Sequence, residues 1–182
     1  ITESWGNSTI LDSEIALTDY NLYRNDKKTA SGRGGGVVLY IHESLQSQAY
    51  EEFDDNDFES SVWATIDLKD KDRILVGLCY RSPNSTEQNN KKLRDLIAKM
   101  KCTDNASHIL LMGDFNFPEI DWINNIVSGS EESEPQKFFD MIQDEFYVQH
   151  VEKPTRRRGL QKPSLIDLIF SRDENMVDDI TH

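Results

Sequence analysis

Apolar residues recur along this chain with two periods, and the strand-like stretches come first. Tyr20-Asn21-Leu22-Tyr23-Arg24 alternates with the two-residue period of a half-buried strand. Val37-Val38-Leu39-Tyr40-Ile41 is apolar on both faces, as a central strand would be. Ser60 to Leu68 sets Val62, Ala64, Ile66 and Leu68 on one face, and Arg73 to Tyr80 is a further strand. The Lys69-Asp70-Lys71-Asp72 turn between them predicts a hairpin. Arg81-Ser82-Pro83-Asn84 ends the second arm. The period then changes. Leu93, Leu96, Ile97 and Met100 make one helical stripe behind a capping pattern at Ser85 and Gln88. Ser107 to Met112 returns to a strand, and Pro118 to Trp122 predicts a short turn of helix. A second capping pattern, Ser133 and Gln136, introduces Phe138, Ile142 and Phe146 at helical spacing. Leu165 to Phe170 is the last clear strand. Ile10 to Thr18 reads as short helix or loop, and Asn25 to Arg33 as a polar turn. This order predicts a sheet-rich α/β or α+β sandwich with helices outside.

Composition narrows the class. The 182 residues suit one domain with a substantial core. No apolar run approaches the length that crosses a bilayer, so no membrane partner is expected. The chain opens on Ile1-Thr2-Glu3-Ser4-Trp5 without a basic start or an initiator Met, and reads as an excerpt of a longer polypeptide. Its net charge of −13 argues against a protein that coats nucleic acid by neutralising phosphates. Local base is concentrated in Arg156-Arg157-Arg158. Cys79 and Cys102 form no Cys-x-x-Cys pair, so neither a disulfide framework nor a zinc knuckle is expected, and a reducing compartment is the default. The four histidines show no metal-ligand spacing. Gly32 and the Gly34-Gly35-Gly36 run fit neither a dinucleotide fingerprint nor a Walker loop, and read as a turn feeding a strand.

Chemistry gathers at strand ends. Ile109 to Met112 runs into Gly113-Asp114-Phe115-Asn116. If the backbone stays extended there, Asp114 and Asn116 point to one face and could hold a hard cation, a water or a phosphate oxygen. The alternative is a loop whose Asp and Asn hydrogen-bond only their own backbone. Glu3 and Asp167 are two further carboxylates in otherwise apolar strands. Tyr80-Arg81, at another strand end, adds a phenol and a fixed cation suited to a phosphate.

Together these stretches resemble the endonuclease/exonuclease/phosphatase superfamily, and within it the apurinic-endonuclease-like endonuclease domain of non-LTR retrotransposons. The resemblance is carried, in order, by Ile1 to Trp5, Tyr20 to Arg24, Gly34 to Tyr40, Tyr80 to Pro83, Gly113 to Asn116, Pro154 to Arg156 and Leu165 to Ile169. It implies a four-layer αββα sandwich of the deoxyribonuclease-like kind, with residues 1–182 one partial domain truncated at both ends. It implies that Glu3 binds Mg²⁺ or Mn²⁺, Tyr80 contacts the scissile phosphate, and Asp114 positions the attacking water. Asn116 would hold a phosphate oxygen, and Asp167 would orient a catalytic histidine. Thr155 and Arg156 match a loop implicated in DNA contact, and Arg81, as the fixed cation at its strand end, is expected to bind the substrate phosphate. The implied activity is metal-dependent nicking of DNA, in the nucleus, by a polyprotein that also carries a reverse transcriptase. The family's metal-binding Asn strand and its Ser-Asp-His strand have no counterpart in the chain, and His182 is not the catalytic histidine. Weak or no activity is therefore expected of residues 1–182 alone. A phosphatase or phosphodiesterase of the same fold, and a catalytically dead domesticated binding module, are the alternatives.

Overall fold

The computed structural model describes residues 1–26, 35–53, 55–100, 106–157, 159, 163–181. The strands are β1 Tyr20–Asn25, β2 Val37–His42, β3 Ser47–Ala49, β4 Ser61–Asp67, β5 Arg73–Tyr80, β6 His108–Asp114, β7 Ile120–Asp121, β8 Ile126–Val127, β9 Val148–Gln149 and β10 Asp167–Ser171. The helices are α1 Asp12–Ile15, α2 Asp55–Phe58, α3 Glu87–Lys99 and α4 Glu134–Asp144. Most of the turn expected over 25–33, together with Gly32, Gly34, Cys102, Arg158 and His182, lies outside the described residues.

Six strands form one sheet in the order β3-β4-β5-β6-β10-β9, while β1 and β2 make a second, two-stranded sheet. The two-residue period of β4 and β5 explains the layering. Val62, Ala64, Ile66, Val76, Leu78 and Tyr80 point one way and pack on Val37, Leu39 and Ile41 of β2. Trp63, Leu75 and Cys79 point the other way, into a core closed by Leu93, Leu96 and Ile97 of α3 and by Phe138 and Ile142 of α4. On the far side of the small sheet, the Tyr40 hydroxyl donates to the Ile15 carbonyl of α1 at 2.7 Å. The layers thus run helix, sheet, sheet, short helix, the expected α/β sandwich with a reduced second half. Gly77 lets the Trp63 indole lie flat on β5, since a Cβ there would stand 2.1 Å from the ring. Gly77→Ala is therefore expected to displace the indole and destabilise the fold by about 2 kcal/mol, read as a melting temperature lower by roughly 5 °C.

Several sequence expectations need correction. The cap of α3 is Thr86, whose side chain accepts from Asn89 N–H, one residue beyond the predicted Ser85. Met100 closes the apolar stripe as the C-cap of α3 and is 1% exposed. Pro118 to Trp122 is no helical turn: β7 pairs antiparallel with β8. Phe146 leaves the α4 stripe because α4 ends at Asp144, and Phe146 takes φ 57° and is 83% exposed. Leu68 falls past the end of β4 and is exposed. Leu165 and Ile166 precede β10, so Asp167 stands at its first position. The predicted cap at Ser133, accepting from Gln136 N–H, is present.

Candidate active site

Strand register places the chemistry. β5 and β6 run parallel with Tyr80 beside Asp114, and β10 runs antiparallel to β6 with Asp167 opposite Asp114. Paired residues on neighbouring strands share a face. Tyr80, Asp114 and Asp167 therefore stand in a row across three strand ends, on the face that Tyr80 shares with the small sheet. Glu3 joins them from that sheet. Thr2 bridges to Val37, and Ser4 N–H donates to the Gly36 carbonyl, which hangs the first residues on the edge of β2. The Tyr80 hydroxyl donates to Glu3 Oε1 at 2.5 Å, a link across 77 residues. Glu3 sits at φ 53°, a left-handed conformation that an L-residue adopts at a cost.

Asp114 and Asn116 do meet, but not by strand alternation. β6 ends at Asp114, and Asn116 turns left-handed at φ 50°, which asparagine tolerates better than most residues. Asn116 N–H donates to Asp114 Oδ1 at 3.2 Å, a local turn that joins the pair. Phe115 and Phe117 anchor this turn in the core. The Phe115 ring lies 5.4 Å from Phe138 and from Phe170, and the Phe117 ring stacks on Phe138 at 4.9 Å. Gly113 permits close approach of β6 to β5, because a Cβ would lie 2.0 Å from the Cys79 carbonyl oxygen.

The electrostatics are those of a crowded anionic pocket. Burial, then the charge of Asp167 and more weakly that of Glu3, push the Asp114 carboxyl up from 3.8 to about 6, against the Asn116 hydrogen bonds that favour its ionised form. Burial first, and then the bond to Glu3, hold the Tyr80 phenol well above its usual range, so it stays a donor at neutral pH.

The residues expected to contact substrate each have partners within the protein. Arg81 is 6% exposed and faces inward. Its Nε donates to Asn90 Oδ1 at 2.8 Å, and its Nη1 donates to the Phe115 and Asn116 carbonyls at 3.2 and 2.9 Å. The guanidinium lies 3.7 Å above the Phe117 ring. Burial lowers its pKa to about 10, opposed by the charges of Glu119, Glu134 and Asp114, so it remains a cation. Asn116 donates from Nδ2 to the Arg81 carbonyl at 2.9 Å, and its Oδ1 accepts from Arg156 Nη1 at 3.2 Å. Thr155 Oγ1 accepts from Ile166 and Asp167 N–H. Thr155 and Arg156 thus brace the start of β10 and the Asn116 amide, and Arg157 is left exposed. Sequence reading missed Asn90 and Phe117. The available signal was a polar residue, Asn90, three positions before Leu93 on the buried stripe of α3.

A hard divalent cation fits this pocket in one respect. The donors are carboxylate oxygens, and the repulsion that raises the Asp114 pKa is the kind a cation relieves. Among the described residues no three carboxylate, histidine or cysteine side chains converge to hold an ion unaided. A Mg²⁺ at Glu3 would draw its remaining oxygens from water and substrate, as Mg²⁺ commonly does.

Comparison with known proteins agrees with this architecture. Residues 74–182, more than half of the chain, match a sequence family described as endonuclease-reverse transcriptase. No curated protein sequence matches the chain. Among solved structures, the endonuclease domain of TRAS1, a telomere-specific non-LTR retrotransposon, superposes with a TM-score of 0.56 at 14% identity, covering 85% of this chain and 67% of that one. An endonuclease/exonuclease/phosphatase from Bacteroides vulgatus gives 0.54 at 17% identity, covering 88% and 66%. The Xenopus laevis APE2 catalytic domain gives 0.54 at 12% identity, covering 88% and 68%. These likenesses establish the fold, and the chain spans about two thirds of the length of each structure.

Proposed function

This chain belongs to the endonuclease-reverse transcriptase family, and from that premise we propose that its anionic pocket hydrolyses phosphodiester bonds and nicks DNA. The observation that carries this reading is the row Tyr80, Asp114, Asp167 across three strand ends, with Glu3 held to Tyr80. Asp114, once ionised, accepts a proton from a water lying against it and aims that water at phosphorus. Tyr80 stays protonated and stands beside Asp114, and its one hydrogen, now on Glu3, would have to turn from Glu3 to steady a phosphate oxygen. Asn116 spends one amide hydrogen on the Arg81 carbonyl and turns the other toward the Asp114 carboxylate, so it holds Asp114 in its ionised form. A divalent cation at Glu3 would supply charge neutralisation for the phosphate and the departing oxygen. Asp167 keeps negative potential on Asp114 and thereby its basicity. The parent protein, on this reading, acts on DNA in the nucleus and carries a reverse transcriptase.

A second reading, a phosphatase of the same fold, is favoured by the net charge of −13, which opposes tight DNA binding. Substrate choice separates the two. The intact protein in Mg²⁺ should open supercoiled plasmid and leave a sugar phosphomonoester untouched, and the reverse selectivity would support the phosphatase. Cation binding has its own readout. Mg²⁺ at a hundred times its dissociation constant should stabilise the fold by about 2.7 kcal/mol, a melting shift of roughly 5 to 10 °C. Glu3→Gln should abolish most of that shift, and an undiminished shift in the variant would remove Glu3 from the cation's ligands.

A further inference from the structure

We infer that Arg81 is a positioning residue, which fixes the Asp114–Asn116 turn from behind instead of touching substrate. Six contacts point the same way. The Arg81 N–H donates to the Asp114 carbonyl at 2.8 Å, and the Arg81 carbonyl accepts from Asn116 Nδ2 at 2.9 Å. Its Nη1 gathers the successive carbonyls of Phe115 and Asn116, its Nε is anchored on Asn90 of α3, and its plane rests on Phe117. Backbone and side chain of one residue thus hold all three residues of the turn.

The chemistry explains why arginine stands there. A buried cation is costly unless hydrogen-bonded, and among the described residues no carboxylate lies within ion-pair distance of Arg81. Its charge is satisfied by carbonyl and amide oxygens, in bonds that are stronger than neutral ones. Asn116 needs such support, because its left-handed backbone and its two-sided amide must both be held for the side chain to face one direction. Lysine could not replace the arrangement, since a single ammonium offers neither the planar fork nor the face that lies on Phe117. The catalytic consequence rests on the nuclease reading; the positioning itself does not.

The test uses the intact protein with Arg81→Met, Arg81→Lys and the milder Asn90→Ala. Hydrogen exchange should accelerate about tenfold or more at residues 113–117, while β4 and the interior of β5 keep their protection. At saturating DNA the nicking rate of Arg81→Met should fall on the order of a hundredfold, with KM within about threefold of wild type, and Arg81→Lys should recover little of it. Unchanged protection at 113–117 would overturn the inference, as would a uniform rise over the whole sheet or a loss confined to KM. If Arg81→Met does not fold, Asn90→Ala decides by the same exchange pattern. If the wild-type protein does not nick DNA, the nuclease reading fails, and exchange alone decides the positioning.

Discussion

Asp114→Asn is expected to cut the nicking rate about a thousandfold and to raise the melting temperature at the same time. The two effects share one cause. Asp114 is held among Asp167, Glu3 and buried surface, which suits a base poised to take a proton and is unfavourable for the fold. Its carboxyl is raised from 3.8 to about 6 in the native protein, so the native state binds the extra proton between those values. The cost is absent below about pH 4, grows through that window, and is complete above about pH 6. Unscreened, the shift corresponds to about 3 kcal/mol, and partial solvent contact reduces it to about 1 to 2 kcal/mol. Asparagine keeps the shape and removes the charge. The variant should melt about 3 to 6 °C higher at pH 7.5 and no higher at pH 4, measured without divalent cation. A variant that melts lower at pH 7.5 would mean that Asp114 is stabilising, contrary to the electrostatics described. The same shift predicts that nicking declines on the acid side of about pH 6, and that bound cation moves this limb further down.

Gly113→Ala should be the most damaging single methyl group near the site. A Cβ at that position meets the Cys79 carbonyl oxygen at 2.0 Å, and the obstacle is backbone, not a side chain that can swing away. β5 and β6 would have to part at the point where Tyr80 lies beside Asp114. The expected cost is about 3 kcal/mol, a fall of roughly 10 °C in melting temperature. Activity should be lost even where the variant remains folded, because the strand spacing sets the site. A stable, active Gly113→Ala protein would show that the two strand ends adjust independently of the chemistry.

How far the sequence reveals this arrangement depends on the kind of signal. The long strands and α3 and α4 announce themselves by period, because burial on one or both faces constrains every second or every third to fourth residue. Short elements such as β3, β7, β8 and β9 have too few residues for a period to show, and Pro118 to Trp122 reads as helix for that reason. The strand-end row of Tyr80, Asp114 and Asp167 was visible as three unusual residues at apolar strand ends; that they are neighbours depends on register, which local pattern does not encode. The inward turn of Arg81 was not visible. An arginine beside a strand end reads as an exposed cation, and only the Asn90 and Phe117 partners, distant by 9 and 36 positions, reverse that reading. Arg156 is similar: its bond to Asn116 spans 40 positions.

The most direct measurement is the rate at which the intact parent protein, of which residues 1–182 are read as a part, opens supercoiled plasmid in Mg²⁺, compared between wild type and Asp114→Asn preparations of equal folded content. Open circles from the wild type, abolished by chelation and reduced about a thousandfold in the variant, are the predicted result. Equal nicking by both proteins, or none by a folded and Mg²⁺-loaded wild type, would contradict the assignment of this pocket to phosphodiester hydrolysis.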